Sequence, residues 1–405
     1  MINYLRTDKN NLLAVIAAFF LSIYILISHH SIRYEFVYIT HIVFLPLSVI
    51  LIVSKKKIFI HKPMFFFFLY VTLHAMLLAL FGRNYYNGMG ILKGLVVMFL
   101  SYYISVLFTN NISQKFFTIF YSVICLISML VMFIQSYLVY ILRIGVMPIV
   151  PFWEHASKDF NLINLYRPSS FFFEPQHYAS FLLPFLLLCI YSRKIFLALL
   201  ITLSIMLSTS TQGTMMCAVF WMIHIYEVEL KSIYKWFLIL MIIMLMIVFV
   251  NSDLFTFSQE KIQQIDLSDD IRLTRSWGVF YEIPLWHKIS GIGMGYVNEY
   301  IFITGNANKW LLGKHIAAQN FLSSLGGNFV HFGIIGGLLY IYILYSVFIN
   351  VRKNKLAVKF LLLIFMSSLS QTIIFNAWFV MYWLIFYTYF FDYFKKSEFI
   401  RISTF

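Results

Sequence analysis

The sequence predicts an all-α polytopic membrane protein of about twelve transmembrane helices, and three observations carry that prediction. Hydrophobic residues fill 61% of the 405 positions and mean hydropathy is +0.84, more apolar surface than a soluble fold of this length hides. Apolar runs near the ~20 residues of a bilayer crossing recur from one end to the other. Between them, Lys and Arg gather in short loops, as orientation across a bilayer requires. A β-barrel would show alternating segments, and these runs do not alternate.

The elements follow in order. Arg6 and Lys9 precede the first apolar run, 12–28, and no small-residue cleavage site follows it, so it reads as an uncleaved first span. Spans 36–53 and 63–81 flank Lys55, Lys56, Lys57 and Lys62. Spans 91–109 and 116–142 meet near Lys115. Spans 177–191 and 195–209 meet at Arg193-Lys194, and 213–226 and 236–250 at Lys231 and Lys235. The last three, 328–349, 359–375 and 377–391, are bounded by Arg352, Lys353, Lys355 and Lys359 and by Lys395, Lys396 and Arg401. Eighteen of the thirty basic residues fall in this set of loops and tails, which places them in the cytoplasm with both termini. The polar break Ser208 to Gly213 between two short spans is tolerable at membrane depth only where protein or water lines it.

One integral membrane domain, 1–405, is expected, with long outward loops at about 143–176 and 251–318. These loops carry nine more basic residues, an outward surface suited to an anionic ligand at the bilayer face, such as a lipid-linked phosphate. The 45 Phe and 27 Tyr read as lipid-facing and interfacial residues. The three cysteines lie inside apolar runs, an odd buried set that argues against disulfides or a metal site. No cofactor, metal or nucleic-acid motif is present, nor a nucleophile elbow, P-loop or HExxH pattern.

The first outward loop ends in Arg167-Pro-Ser-Ser-Phe-Phe-Phe-Glu174-Pro175-Gln176-His177. Pro175 suits a first helical turn, and Glu174 there complements the helix dipole. Glu174 therefore reads either as a capping acid or as a general base or sugar-binding carboxylate. His177 reads as an interfacial residue or a functional one. In the second loop, Arg272 and Arg275 share a face if the stretch is helical. They form either a diphosphate fork or ion pairs with Asp269 and Asp270. Gly291, Gly293 and Gly295 fit a tight turn that returns the loop to the membrane. His315, Gln319 and Asn320 follow, then His331 and the glycines 333, 336 and 337. Among the few ionisable groups in spans, Lys93, His41, His74 and His224 stand near the ends, which weakens a proton-coupled transporter reading.

Together these pieces resemble the Wzy-type O-antigen polymerases, relatives of the O-antigen ligases. The resemblance covers the whole layout and is sharpest at Arg167 to Ala179, Ser208 to Gly213, Arg275 to Gly295 and Gln319 to Gly336. Arg275, fifteen residues and Gly291 match an arginine–glycine spacing of these polymerases. The resemblance implies a GT-C-like glycosyltransferase at the periplasmic face of a Gram-negative inner membrane. It would join O-antigen repeat units carried on undecaprenyl diphosphate, without a cofactor or metal. Membrane lipid, a flippase and a chain-length regulator are the implied partners. Arg167, Arg272 and Arg275 would bind diphosphate, with His177, Gln319 and Asn320 at the substrate. Glu174 is the first choice for the base and His315 the second. The ligases carry a histidine ten residues before a glycine. His315-x10-Gly326 meets that spacing, while Gly333-Ile-Ile-Gly336 aligns better with Gln319 in the histidine place. The competing readings are an O-antigen ligase, a capsule or exopolysaccharide polymerase, and a flippase or transporter of lipid-linked sugars.

Overall fold

The computed structural model describes residues 12–27, 33–34, 37–38, 57–81, 112–146, 167–172, 174–227, 236, 240, 244, 274–293, 297, 300, 322–370 and 377–403. These are mostly helical and fall into two compact units, each described by itself. The first takes 1–8, 25–32 and 114–266; the second takes 9–24, 33–113 and 267–405.

In the first unit, α3 (Gln114–Ser136) runs on into a π-turn, Tyr137–Ile141. It is followed by α4 (Pro175–Tyr191), α5 (Ile195–Leu207) and α6 (Thr211–Glu227). Helix α4 is buried from Tyr178 to Ile190, as a helix apolar all round must be. Its Pro184 removes an amide donor, and the neighbouring Phe181 carbonyl takes the Tyr121 hydroxyl at 2.7 Å. Gly213 lets α6 close on α4, since a Cβ there would strike the Ala179 side chain. Across α4, α5 and α6, Tyr178 bonds Ser204 at 3.0 Å and Trp221 bonds Thr202 at 2.8 Å.

The second unit contains α1 (Leu12–Ile27, as far as residue 24) and α2 (Lys62–Phe81). It also holds two short helices, α7 (Thr274–Glu282) and α8 (Leu285–Ser290). Then come α9 (Ser324–Val351), α10 (Lys355–Ser370) and α11 (Ala377–Phe390). Asn354 caps α10 by accepting the amides of Leu356 and Ala357 at 3.0 and 3.1 Å. Helices α7 and α8 pack on the start of α9 around Val279, Ile283, Ile292, Leu322 and Val330.

Two helices of 28 residues, Gln114–Ile141 and Ser324–Val351, are long and apolar enough to cross a membrane. The boundaries expected at 12–28, 63–81, 116–142, 177–191, 195–209, 213–226, 328–349, 359–375 and 377–391 meet these helices within a few residues. The span expected at 91–109 lies outside the described residues, and of 236–250 only positions 236, 240 and 244 are described, all helical.

Strands correct the all-α expectation in detail. Val37–Tyr38 pairs antiparallel with Arg33–Tyr34 (β2 and β1), so the expected helix does not start at 36. Lys57–His61 (β3) pairs with Phe399–Ser403 (β4), Lys57 opposite Ser403. Ile58 opposite Ile402 and Ile60 opposite Ile400 are β-formers, and Pro63 starts the following helix afresh. This ladder holds Lys57–His61 against Phe399–Ser403.

Helix α9 is broken. Gly333 has φ 68°, left-handed backbone inside what is otherwise one helix. The break is filled by the 291–293 segment. Ile292 and Gly293 donate their amides to the Val330 and His331 carbonyls, both at 2.9 Å, and the Tyr70 hydroxyl donates to Phe332 at 2.9 Å. The backbones are in contact: a Cβ on Gly333 would meet the Ile289 carbonyl, and one on Gly291 the His331 carbonyl. Gly333→Ala therefore combines left-handed strain with a backbone clash and is expected to cost about 2–4 kcal/mol. In Gly337→Ala the atoms nearest the new Cβ belong to the Phe329 ring, which can turn, at a cost of about 1 kcal/mol. Melting of the purified protein in detergent checks the order; equal Tm losses would refute the backbone lock.

His61, at the end of β3, is packed among the Phe394 and Phe399 rings and shares a 3.1 Å hydrogen bond with Tyr387. Burial pushes its pKa down from 6.5 to about 4. The unfolded chain thus binds a proton that the folded one refuses. Stability from this site is full above pH ~6.5 and falls as pH drops toward 4. Tm is expected to fall between pH 7.5 and 4.5, with a shallower fall in His61→Phe; parallel pH profiles would remove His61 from that response.

Candidate functional site

The four stretches that carry the resemblance meet in pairs. Arg167 to Ala179 meets Ser208 to Gly213 in the first unit, and Arg275 to Gly295 meets Gln319 to Gly336 in the second.

In the first unit, the α5–α6 turn is Ser208-Thr209-Ser210, all buried, with Thr209 left-handed at φ 57°. Such a turn exposes backbone polar groups at depth, and each named here has a partner. Ser210 accepts the Gly213 amide at 3.2 Å as the cap of α6. Arg167 donates from Nε to the Thr209 hydroxyl at 2.7 Å and from Nη2 to the Thr209 carbonyl at 2.5 Å. Tyr140, carried on the π-turn of α3, donates to the Leu207 carbonyl at 3.1 Å and lies beside Arg167 and Thr209.

The strand of chain after Arg167 is equally tied. Pro168, Ser169 and Ser170 are buried, with Ser170 left-handed at φ 56°. The Gln135 side chain is the hub. Its Oε1 accepts the Ser169 and Ser170 amides at 3.3 and 2.7 Å, and its Nε2 donates to the Ser170 carbonyl at 3.1 Å. Ser170 also donates to the Ser128 carbonyl at 2.7 Å. This network delivers Glu174 to the first turn of α4.

Glu174 is the N-cap residue with extended backbone, and its carbonyl accepts the His177 and Tyr178 amides. Its carboxylate makes no capping bond and instead faces His177, with Oε2 to Nε2 at 4.0 Å. Both side chains are partly exposed, 39% for Glu174 and 29% for His177. The capping reading of Glu174 thus holds only for its backbone. A carboxylate and an imidazole stand together at an open helix N-terminus, and Gln176 bonds Gln212 at 2.8 Å beside them. This arrangement can accept a proton and bind hydroxyl groups.

In the second unit, Arg275 lies in the first turn of α7. The next residue fixes that turn: Ser276 Oγ accepts the Ser323 amide at 2.8 Å and packs where a side chain on Gly326 would lie. The Gly291–Gly293 turn returns the loop as expected, but onto the broken helix. There His331 donates Nδ1–H to the Gly293 carbonyl at 3.1 Å, and His74 donates Nε2–H to the Ser290 carbonyl at 2.5 Å. Carbonyls only accept, so both tautomers are fixed. Arg272, His315, Gln319 and Asn320 lie outside the described residues.

Gln135, Tyr140 and Thr209 carry no individual assignment from sequence, and His331 is named there without a role. The signal for Thr209 was the polar break; Gln135 and Tyr140 gave none inside an apolar run. No group that could hold a metal ion occurs among the described residues. No protein-family model matches the chain, and no curated protein matches it.

Gln135→Leu strands two buried amides and a carbonyl and is expected to cost about 3 kcal/mol or more; Thr209→Ala removes one charge-assisted bond, about 2 kcal/mol. Detergent-state melting should rank Gln135→Leu below Thr209→Ala and both below the parent. An unchanged Tm for Gln135→Leu would overturn the hub.

Proposed function

We propose that this chain is a Wzy-type O-antigen polymerase: a multi-pass protein of about twelve spans in a Gram-negative inner membrane, GT-C-like, with both termini cytoplasmic. The observation that carries the reading is the pairing just described. The four stretches where the resemblance is sharpest, scattered over 170 residues from Arg167 to Gly336, are joined two by two through direct bonds. Stretches matched by chance have no reason to bond to one another.

In this reading the acceptor sugar hydroxyl attacks the anomeric carbon of a lipid-linked chain. A carbon–oxygen bond forms, the anomeric bond to diphosphate breaks, and undecaprenyl diphosphate leaves with the electron pair. The hydroxyl proton passes to a base. Glu174, beside His177, and His315 remain the assigned choices. Arg275 and Arg272 stabilise the leaving diphosphate without a metal. Arg167 gives two donors to Thr209, so it acts at the substrate by holding the α5–α6 turn as well as by its charge.

Arg275→Ala and Arg167→Ala are expected to abolish chain growth at unchanged protein level, and Arg275→Lys to fail as well, since an ammonium cannot make the two-pronged contact. The readout is a lipopolysaccharide gel from a deletion strain beside strains complemented with each variant. A single repeat unit on core, with the ladder gone, supports polymerase. Bare core with polymer left on its carrier assigns a ligase. An unchanged ladder on deletion refutes both and turns the search to capsule synthesis.

A further inference from the structure

Outward loops of a membrane protein are expected to stand in water, yet the helix pair α7–α8 leaves four large apolar side chains uncovered. Tyr281, Leu285 and Trp286 are each 72% exposed, and Ile289 is 41% exposed. Leu285 and Ile289 are four residues apart and share one face of α8, with Trp286 beside them. The pair is no loose appendage, since its other side forms the core with Val279, Ile283 and Ile292.

The depth of α8 follows from its bonds. Its last carbonyl, Ser290, is held by His74 of α2. His74 lies seven residues before the end of α2 at Phe81, which is about 10 Å along the helix axis. The next residues, Gly291 to Gly293, are held in the break of α9. From Ser290 back to Leu285 is five residues, about 7.5 Å along a helix. Even a fully upright α8 therefore keeps Leu285 and Trp286 below the outer end of α2. At that depth α2 itself exposes an apolar stripe, Leu69, Leu73, Met76, Leu77 and Leu80. The uncovered residues of α7–α8 share its character, with Trp and Tyr of the kind that gather at a bilayer interface and Lys288 next to them.

We infer that α7–α8 is a re-entrant wedge seated in the outer leaflet, with Tyr281, Leu285, Trp286 and Ile289 against lipid and Lys288 among anionic headgroups. The inference rests on the membrane-spanning reading above. It adds that the Arg275-bearing helix pair lies in the leaflet where a lipid-linked substrate travels, so such a substrate can approach laterally without leaving the bilayer.

The test places one environment-sensitive fluorophore on Trp286→Cys in the full chain, reconstituted in nanodiscs of phosphatidylethanolamine and phosphatidylglycerol. Cys125, Cys189 and Cys217 are buried, so the new thiol takes the label. Leu285→Cys is the second placement, and Leu73→Cys on α2 reports the bilayer itself. Quenching of the label at 286 by nitroxide-bearing lipid, with loss of most of its emission, and shielding from aqueous iodide support the wedge. Iodide quenching at 286 with lipid quenching at 73 overturns the wedge and leaves the membrane reading standing. Shielding from both quenchers would place a protein partner on the face and overturn it too. Iodide quenching at 73 as well removes the membrane reading and the wedge together.

Discussion

A backbone carbonyl or amide left bare in an apolar interior costs several kcal/mol, and this chain breaks its helices repeatedly. Each break described here is matched by a donor or acceptor from far along the sequence. The α5–α6 turn uses Arg167 and Tyr140. The Ser169–Ser170 turn uses Gln135, whose amide supplies an acceptor oxygen and a donor nitrogen side by side. The break at Gly333 uses two amides and the Tyr70 hydroxyl. The irregular segments are therefore fixed as firmly as the helices, and the ionisable side chains they carry inherit that fixity.

Arg167 illustrates how structure and chemistry share a residue. A guanidinium has five N–H donors, and Thr209 engages two of them. The cation is thereby oriented by the turn it stabilises. Lysine would put one ammonium nitrogen in place of two donor nitrogens held apart in a planar fork. The charge cannot be moved without loosening the turn that places Gly213 against α4.

The parts of this design visible in the sequence were those with a local signature. Helix extents followed from apolar runs, the α5–α6 turn from its Ser and Thr, and the 291–293 return from its glycines. The partners were invisible because they depend on contacts between distant residues. Gln135 and Tyr140 stand in a run that reads as ordinary span, and nothing nearby marks them as partners of residues 35 and 67 positions away. The His331 contact was invisible for the same reason, since its partner is the carbonyl of Gly293, 38 residues back. The β3–β4 ladder joins the two ends of the chain and has no helical period to announce it. Glu174 was left open in the sequence between a capping acid and a base or sugar-binding carboxylate. Its position is that of a cap, but the carboxylate turns to His177, a choice between two nearby partners that spacing leaves open.

The Gly333 break also ties geometry to chemistry in the second unit. In an unbroken helix the carbonyls of Val330 and His331 would be taken by amides four residues on, and no loop would need to come near. The break calls in Ile292 and Gly293, and the same segment brings the Gly293 carbonyl to His331 Nδ1. One stretch of backbone thus satisfies the helix and selects the imidazole tautomer. It does so only because Gly291 and Gly333 have no side chains where the two backbones touch. A bulkier residue at either position would separate the chains, and the helix carbonyls and the histidine would lose their partners together. The helix break and the His331 tautomer in this unit therefore stand on a single contact, and a substitution there disturbs both together.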